Sequence, residues 1–266
     1  MNELALFAGA GGGILGGHLL GWRTVCAVEW EAYPASVLCA RQNDGLLPSF
    51  PIWDDVQTFD GKPWRGIIDV VSGGFPCQDI SAAGRGGGIE AERSGMWKEM
   101  ARIIGEVRPR YAFVENSPML TSRGLGTVLR DLAQMGFNAE WGVLSAADVG
   151  ANHKRERIWI CAEQRNFFSH SLHNRDRWGK QQQKSVKETQ SRMANTFKFR
   201  TQRKSTDKGE SSEWIDSPGW WKIEPNVGRV ADGVVAGMDR LKAIGNGQVP
   251  LCAATAWNLL RKRLDE

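Results

Sequence analysis

The sequence predicts an α/β fold built on a mostly parallel sheet, and three features carry that expectation. At the N-terminus a short apolar strand runs into a glycine-rich turn and then a helix. Further on, one apolar strand empties toward a cysteine and another ends in a carboxylate. Such strand ends form the edge where open α/β sheets hold their ligands. A chain of 266 residues is ample for one such core and a small appendage.

Leu4-Ala5-Leu6-Phe7 reads as the first buried strand, Ala8-Gly9-Ala10-Gly11-Gly12-Gly13 as the turn, and Ile14 to Leu20 as the helix. This arrangement cradles nucleotides, because glycine lets the backbone come close to a cofactor. The second strand, Thr24 to Val28, ends in Glu29. An acid about 20 residues past the glycines is placed to accept hydrogen bonds from ribose hydroxyls. Trp30, directly after it, is placed to cover an adenine face.

Ile67 to Val71 is the next strand-like run, and Ser72-Gly73-Gly74-Phe75-Pro76-Cys77-Gln78 follows it. That pattern exposes Cys77 as a nucleophile at a strand end. Ala82-Ala83-Gly84-Arg85-Gly86-Gly87-Gly88-Ile89 is too glycine-dense for regular structure and suits a lid, ahead of a helix from near Ser94. Tyr111 to Val114 forms a strand that ends in Glu115-Asn116. Asn152-His153-Lys154-Arg155-Glu156-Arg157 feeds another buried strand, Ile158 to Cys161. Val249 to Leu260 has helical apolar spacing and is expected to dock beside the first strand.

In this order the blocks resemble the cytosine-C5 DNA methyltransferase family, from Leu4 to about Cys161 and again from about Arg240 to Pro250. The matching blocks are Phe7 to Gly12, Glu29, Gly74-Phe75-Pro76-Cys77-Gln78, Glu115-Asn116, Lys154-Arg155-Glu156-Arg157 and Gly245-Asn246. The Pro-Cys-Gln and Arg-Glu-Arg blocks are specific; the glycine turn is not. The resemblance implies a Rossmann-like methyltransferase sheet that uses S-adenosyl-L-methionine. It implies catalytic parts for Cys77, Glu115, Arg157 and Arg155. It implies a cofactor pocket from Phe7, Gly9, Gly11, Gly12, Glu29, Trp30, Pro76 and Asn246, with either Asp54 or Asp55 at the adenine amino group. Asn246 is expected at the methionine end.

These residue types suit the chemistry. Cytosine C5 is too weak a nucleophile to take a methyl group directly, and a thiolate adding at C6 activates it. The charge pushed onto N3 calls for an acid within reach, Glu115. A guanidinium at the base O2 stabilises the same charge, the part that falls to Arg157, while Arg155 helps hold the base or the lid. The base must first leave the duplex, with Ser81 and Arg85 as phosphate contacts. Departures from the family pattern are Ala5 where an acid is usual, Ser117 for Val and His153 for Gln. None removes a group the mechanism needs.

Organisation follows from position and charge. Residues 1–164 and 236–266 are expected to form the catalytic domain, and 165–235 a small target-recognition region. From Arg165 to Lys208 there are 12 Lys or Arg against 3 Asp or Glu, a local +9 in a chain of net charge +4. The remainder is therefore slightly acidic, which concentrates phosphate attraction in that stretch. The partner expected is double-stranded DNA, in the setting of DNA methylation and restriction–modification, with the protein a monomer. An RNA methyltransferase of the same fold and an inactive DNA-binding protein are the competing readings. Five cysteines without paired spacing point to reduced thiols. Cysteine and histidine spacing predicts no metal. Without a signal peptide or a run of about 18 apolar residues, a soluble, cytoplasmic protein is expected.

Neutralising three Lys or Arg between Arg165 and Lys208 should weaken DNA binding and flatten its salt dependence. Each lost phosphate contact lowers the log–log slope by roughly 0.9. Fluorescence anisotropy across a salt series checks this, and an unchanged slope would place the phosphate contacts elsewhere.

Overall fold

The computed structural model describes residues 1–76, 95–165 and 237–266. Its strands are β1 (Asn2–Leu6), β2 (Arg23–Val28), β3 (Ile52–Trp53), β4 (Val70–Gly74), β5 (Tyr111–Asn116), β6 (Phe137–Leu144) and β7 (Arg157–Gln164). They form one seven-stranded sheet in the order β3-β2-β1-β4-β5-β7-β6. The first five run parallel, and β7 is antiparallel to both of its neighbours. The described helices are α1 (Gly12–Leu19), α2 (Ala32–Asn43), α3 (Gly95–Val107), α4 (Leu120–Arg123), α5 (Leu125–Gln134), α6 (Gly237–Asn246) and α7 (Pro250–Asp265).

Alternation along the central strands divides the core. Leu4, Leu6, Val71, Val114, Ile158 and Ile160 pack with Met100, Ile103 and Ile104 of α3 and with Val128 and Leu132 of α5. Tyr111, Phe113, Trp159 and Cys161 pack instead with Cys252, Ala253, Ala256, Trp257 and Leu260 of α7. Both faces of β5 are buried, which is why it reads as an unbroken apolar run. Trp257 meets Trp22, Tyr111 and Phe113 edge-on, with ring centroids 4.6, 5.1 and 5.4 Å away. α1 lies close enough to α7 that a Cβ on Gly16 would stand 2.7 Å from the Ala253 Cβ. Any larger residue there would force the two helices apart.

Three expectations shift. β4 begins at Val70 and runs through Gly74, whereas Ile67 is exposed in a turn whose amide donates to Trp64 O. The glycines belong to the strand because a Cβ on Gly73 would stand 2.5 Å from Leu6 O on β1. α7 extends to Asp265, and it docks over α1 and the β5–β7 end of the sheet. The apolar stripe that includes Trp257 needs the aromatic floor found there. Finally, β1 starts at Asn2, which brings Glu3 into the sheet fully buried.

Glu3 is held by the Ser72 and Thr24 hydroxyls, each donating to one carboxylate oxygen at 2.6 Å. Burial nevertheless raises its pKa to about 7. Among the described residues, no helix is long and apolar enough to cross a membrane.

A carboxyl protonated in the folded protein up to about 7 but ionised above 4.5 when unfolded stabilises the fold at low pH. That contribution is lost as pH rises between those values. The shift corresponds to roughly 3 kcal/mol. Glu3→Gln should therefore gain stability over wild type between about pH 4.5 and about pH 7. Urea denaturation at several pH values checks this, and a gap that stays constant with pH would contradict it.

Candidate active site

Strand order reverses between β1 and β4. From that point the chain builds outward in two directions, which leaves a crevice at the C-terminal strand ends where ligands bind in such sheets. A cleft is found there, lined among others by Phe7, Gly9, Ser72, Gly74, Glu115 and Gln248.

The glycine turn forms the β1 side. Phe7, Gly9 and Gly11 have φ of 52°, 55° and 88°, the left-handed region that only glycine enters without strain. For Phe7 this is strain held at the rim of the cleft. Among the described residues, no atom lies within 4 Å of where a Gly9 Cβ would stand, so the turn is open to them at that point. Gly12 and Gly13 are different. A Cβ there would stand 2.1 Å from the Gln248 carbonyl oxygen and 2.4 Å from Gln248 Oε1. Their lack of side chains admits a protein segment.

Glu29 closes β2 and ties the turn down. Its carboxylate accepts from the Gly9 amide at 2.6 Å and from the Glu31 amide at 2.8 Å. Burial raises its pKa, against the pull of those two hydrogen bonds. Trp30 is 73% exposed beside it. Asp54 and Asp55 follow β3 and accept from the Asp55 and Gln57 amides respectively. Neither is among the residues that line the cleft. Asn246 does line it. Pro76 is described and exposed just past β4, while Cys77, Ser81, Arg85 and nearly all of 165–235 lie outside the described residues.

On the β5 side Glu115 is paired in register with Gly74. Its Oε1 faces Arg157 Nε at 2.8 Å, and its Oε2 faces Gln248 Nε2 at 3.5 Å. Burial raises its pKa, while Arg157, Arg155 and Gln248 all pull it down. A carboxyl in this balance holds a proton to higher pH than an ordinary one and so can serve as an acid. Arg155, expected to help hold the base or the lid, has its guanidinium on the Gly245 and Gly247 carbonyls, the first at 2.7 Å, and its charge also acts on Glu115. It clamps the turn between α6 and α7.

Two residues carry parts that the sequence did not assign, Asn116 of the Glu115-Asn116 block and Gln248. Asn116, almost fully buried, donates from Nδ2 to Phe75 O at 3.1 Å and so anchors the exit of β4 toward Cys77. Gln248 reaches both sides of the cleft. Its signal was a long polar side chain two residues past Gly-Asn, just before Pro250 opens a helix. Among the described residues, no group of three or more His, Cys, Asp or Glu is placed to hold a metal.

The sheet and its crevice define the class as a Rossmann-like α/β methyltransferase fold. Entamoeba histolytica methyltransferase EhMeth superposes with a TM-score of 0.52 at 15% identity, over 61% of this chain and 52% of that one. Spodoptera frugiperda DNMT2 gives 0.50 at 19% identity, over 62% and 50%. Within that class, the model of the C-5 cytosine-specific DNA methylase family matches residues 1–229, and the chain belongs to this family. Its relatives include Type II methyltransferase M.Eco47II of Escherichia coli, 35% identical over 168 residues, 60% of this chain and 38% of the relative. M.HhaI of Haemophilus parahaemolyticus is 31% identical over 164 residues, 60% of this chain and 48% of the relative. In each case the match spans less than half of the relative.

Arg155→Ala removes a charged donor from two carbonyls, each such hydrogen bond contributing roughly 1.5–3 kcal/mol. The variant should unfold several degrees lower, and Arg155→Lys should recover part of the loss. Calorimetry checks this; an unchanged melting temperature would mean the clamp adds nothing.

Proposed function

We propose that this chain methylates C5 of a cytosine turned out of double-stranded DNA, with Cys77 adding covalently to C6. The observation that carries the reading is the Arg157–Glu115 pair at the mouth of the switch-point cleft, with the pKa of the acid raised by burial. Asn116, next to that acid, anchors the backbone that leads to Cys77. Gly74, three residues before Cys77, and Glu115 pair across neighbouring strands.

The residues present fit a nucleoside cofactor. The turn is open at Gly9, Glu29 stands at the end of β2, and an exposed tryptophan adjoins it. S-adenosyl-L-methionine, when bound, supplies an electrophilic methyl group. Glu29, beyond fixing the Gly9 amide, keeps lone pairs for ribose hydroxyls. Cys77, as thiolate, forms a bond to C6 while Glu115 gives its proton to N3, and the electron pair moves onto C5. Arg157 steadies the charge on the base at O2 and orients Glu115 through Nε. C5 then takes the methyl group. The C5 proton passes to water, the Cys77 thiolate leaves C6 as the C5–C6 double bond re-forms, and the N3 proton returns to Glu115, which restores the residues. The region 165–235, with its basic stretch, is assigned the reading of the DNA site.

An oligonucleotide carrying 5-fluorocytosine cannot lose its C5 substituent, so methylation should leave the protein covalently attached. Attachment is expected with the DNA form, is expected to need the cofactor for completion, and should vanish in Cys77→Ser, since a serine hydroxyl is far less ionised than a thiol. Denaturing electrophoresis reads it. Attachment to the RNA form alone would move the substrate to RNA. Turnover of Cys77→Ser within about tenfold of wild type would remove Cys77 from the reaction.

A further inference from the structure

Gln248 has no part in the chemistry above, yet it touches both halves of the site. Its backbone carbonyl and Oε1 fill the space where Gly12 and Gly13 would carry a Cβ. Its Nε2 stands 3.5 Å from Glu115 Oε2 and 2.9 Å from where a Gly74 Cβ would be. That same Cβ would stand 2.4 Å from Glu115 Oε2, so Gly74 leaves a gap shared by Gln248 and the acid. The side chain therefore spans from the cofactor turn to the carboxyl across the switch point.

Its own place is fixed from two directions. Arg155 grips the carbonyls of Gly245 and Gly247 just before it. Val249 and Pro250 just after it begin α7, which is packed against Gly16 of α1. A side chain anchored this way resists displacement and can impose a position on its neighbours. The carboxyl has one oxygen for each partner: Arg157 takes Oε1, and Gln248 leans on Oε2.

We propose that Gln248 is a positioning residue that sets the Glu115 carboxyl against the Gly12–Gly13 turn, fixing the distance between the acid and the methyl-donor site. This rests on the reading of Glu115 as the acid at the base. Gln248 would act through Glu115 and contact neither base nor methyl group. The charged groups facing the carboxyl are Arg157 and Arg155, and Gln248 is the neutral partner.

Gln248→Leu keeps most of the side-chain volume and removes both amide atoms. Three readouts on the full chain test it beside wild type. Cofactor affinity by calorimetry should stay within about threefold, while single-turnover methylation of duplex DNA should slow by about tenfold or more. The amide donor favours the ionised carboxyl, so its loss should also move upward the pH at which activity falls as Glu115 deprotonates. Carbon-13 NMR of the Glu115 carboxyl should show the same upward shift without any turnover. Gln248→Glu, of equal size, should raise that midpoint too, through repulsion, and serves if the leucine variant does not fold.

A carboxyl midpoint unmoved in both variants would overturn the proposal. So would a loss of cofactor affinity with methylation rate and pH profile intact, which would make Gln248 simply a wall of the pocket. If wild type itself transfers no methyl group to DNA, the functional reading fails, and the NMR titration still decides whether Gln248 positions the acid.

Discussion

The site depends on one carboxyl that is buried and yet paired. Glu115, the residue before the end of β5, is buried, a position costly for a charged group without partners. Arg157 supplies the charge partner at 2.8 Å. It can do so only because β7 runs antiparallel to β5, with Glu115 opposite Trp159 and Asn116 opposite Ile158. A parallel β7 would start at the far end of the sheet and carry Arg157 away from the ligand edge. Removing either partner of such a pair leaves an uncompensated buried charge, which is more damaging than removing both.

The second constraint is space rather than charge. Gly12, Gly13, Gly16, Gly73 and Gly74 each sit where a Cβ would meet another part of the chain within 3 Å. Together they let α1, β1, β4 and the segment before α7 approach more closely than side chains would allow. That closeness places Gln248 against the glycine turn, and it packs α7 over the sheet through Trp257 and its aromatic neighbours. The glycines thus serve packing as much as cofactor access. A glycine-rich motif by itself does not distinguish the two uses, since both demand a missing side chain.

Much of the fold was legible because its strands are buried on both faces. Leu4 to Leu6, Val25 to Val28 and Tyr111 to Val114 stand out as apolar runs whatever surrounds them, and β1, β2 and β5 lie where those runs predict. Boundaries failed where pairing rather than hydropathy decides them. Ile67 and Ile68 are apolar but belong to a turn, whereas Gly73 and Gly74 are featureless in sequence and yet pair within β4. Glu3 precedes the apolar run that begins at Leu4, and two hydroxyls from neighbouring strands hold it in the interior.

By itself, the sequence determined the order of the elements, the glycine turn, and the presence of acidic and basic groups at strand ends. Those are properties of local composition, carried by short runs of chain. Which groups meet was decided only by the tertiary structure. Glu115 and Arg157 are 42 residues apart, and their meeting follows from the reversed direction of β7. Arg155, with a left-handed φ of 37°, reaches the Gly245 carbonyl 90 residues away, a contact that its place in the Arg-Glu-Arg block does not announce. Gln248 stands 133 residues from the acid it faces, and no local pattern records a contact made by closing a sheet with the last helix of the chain.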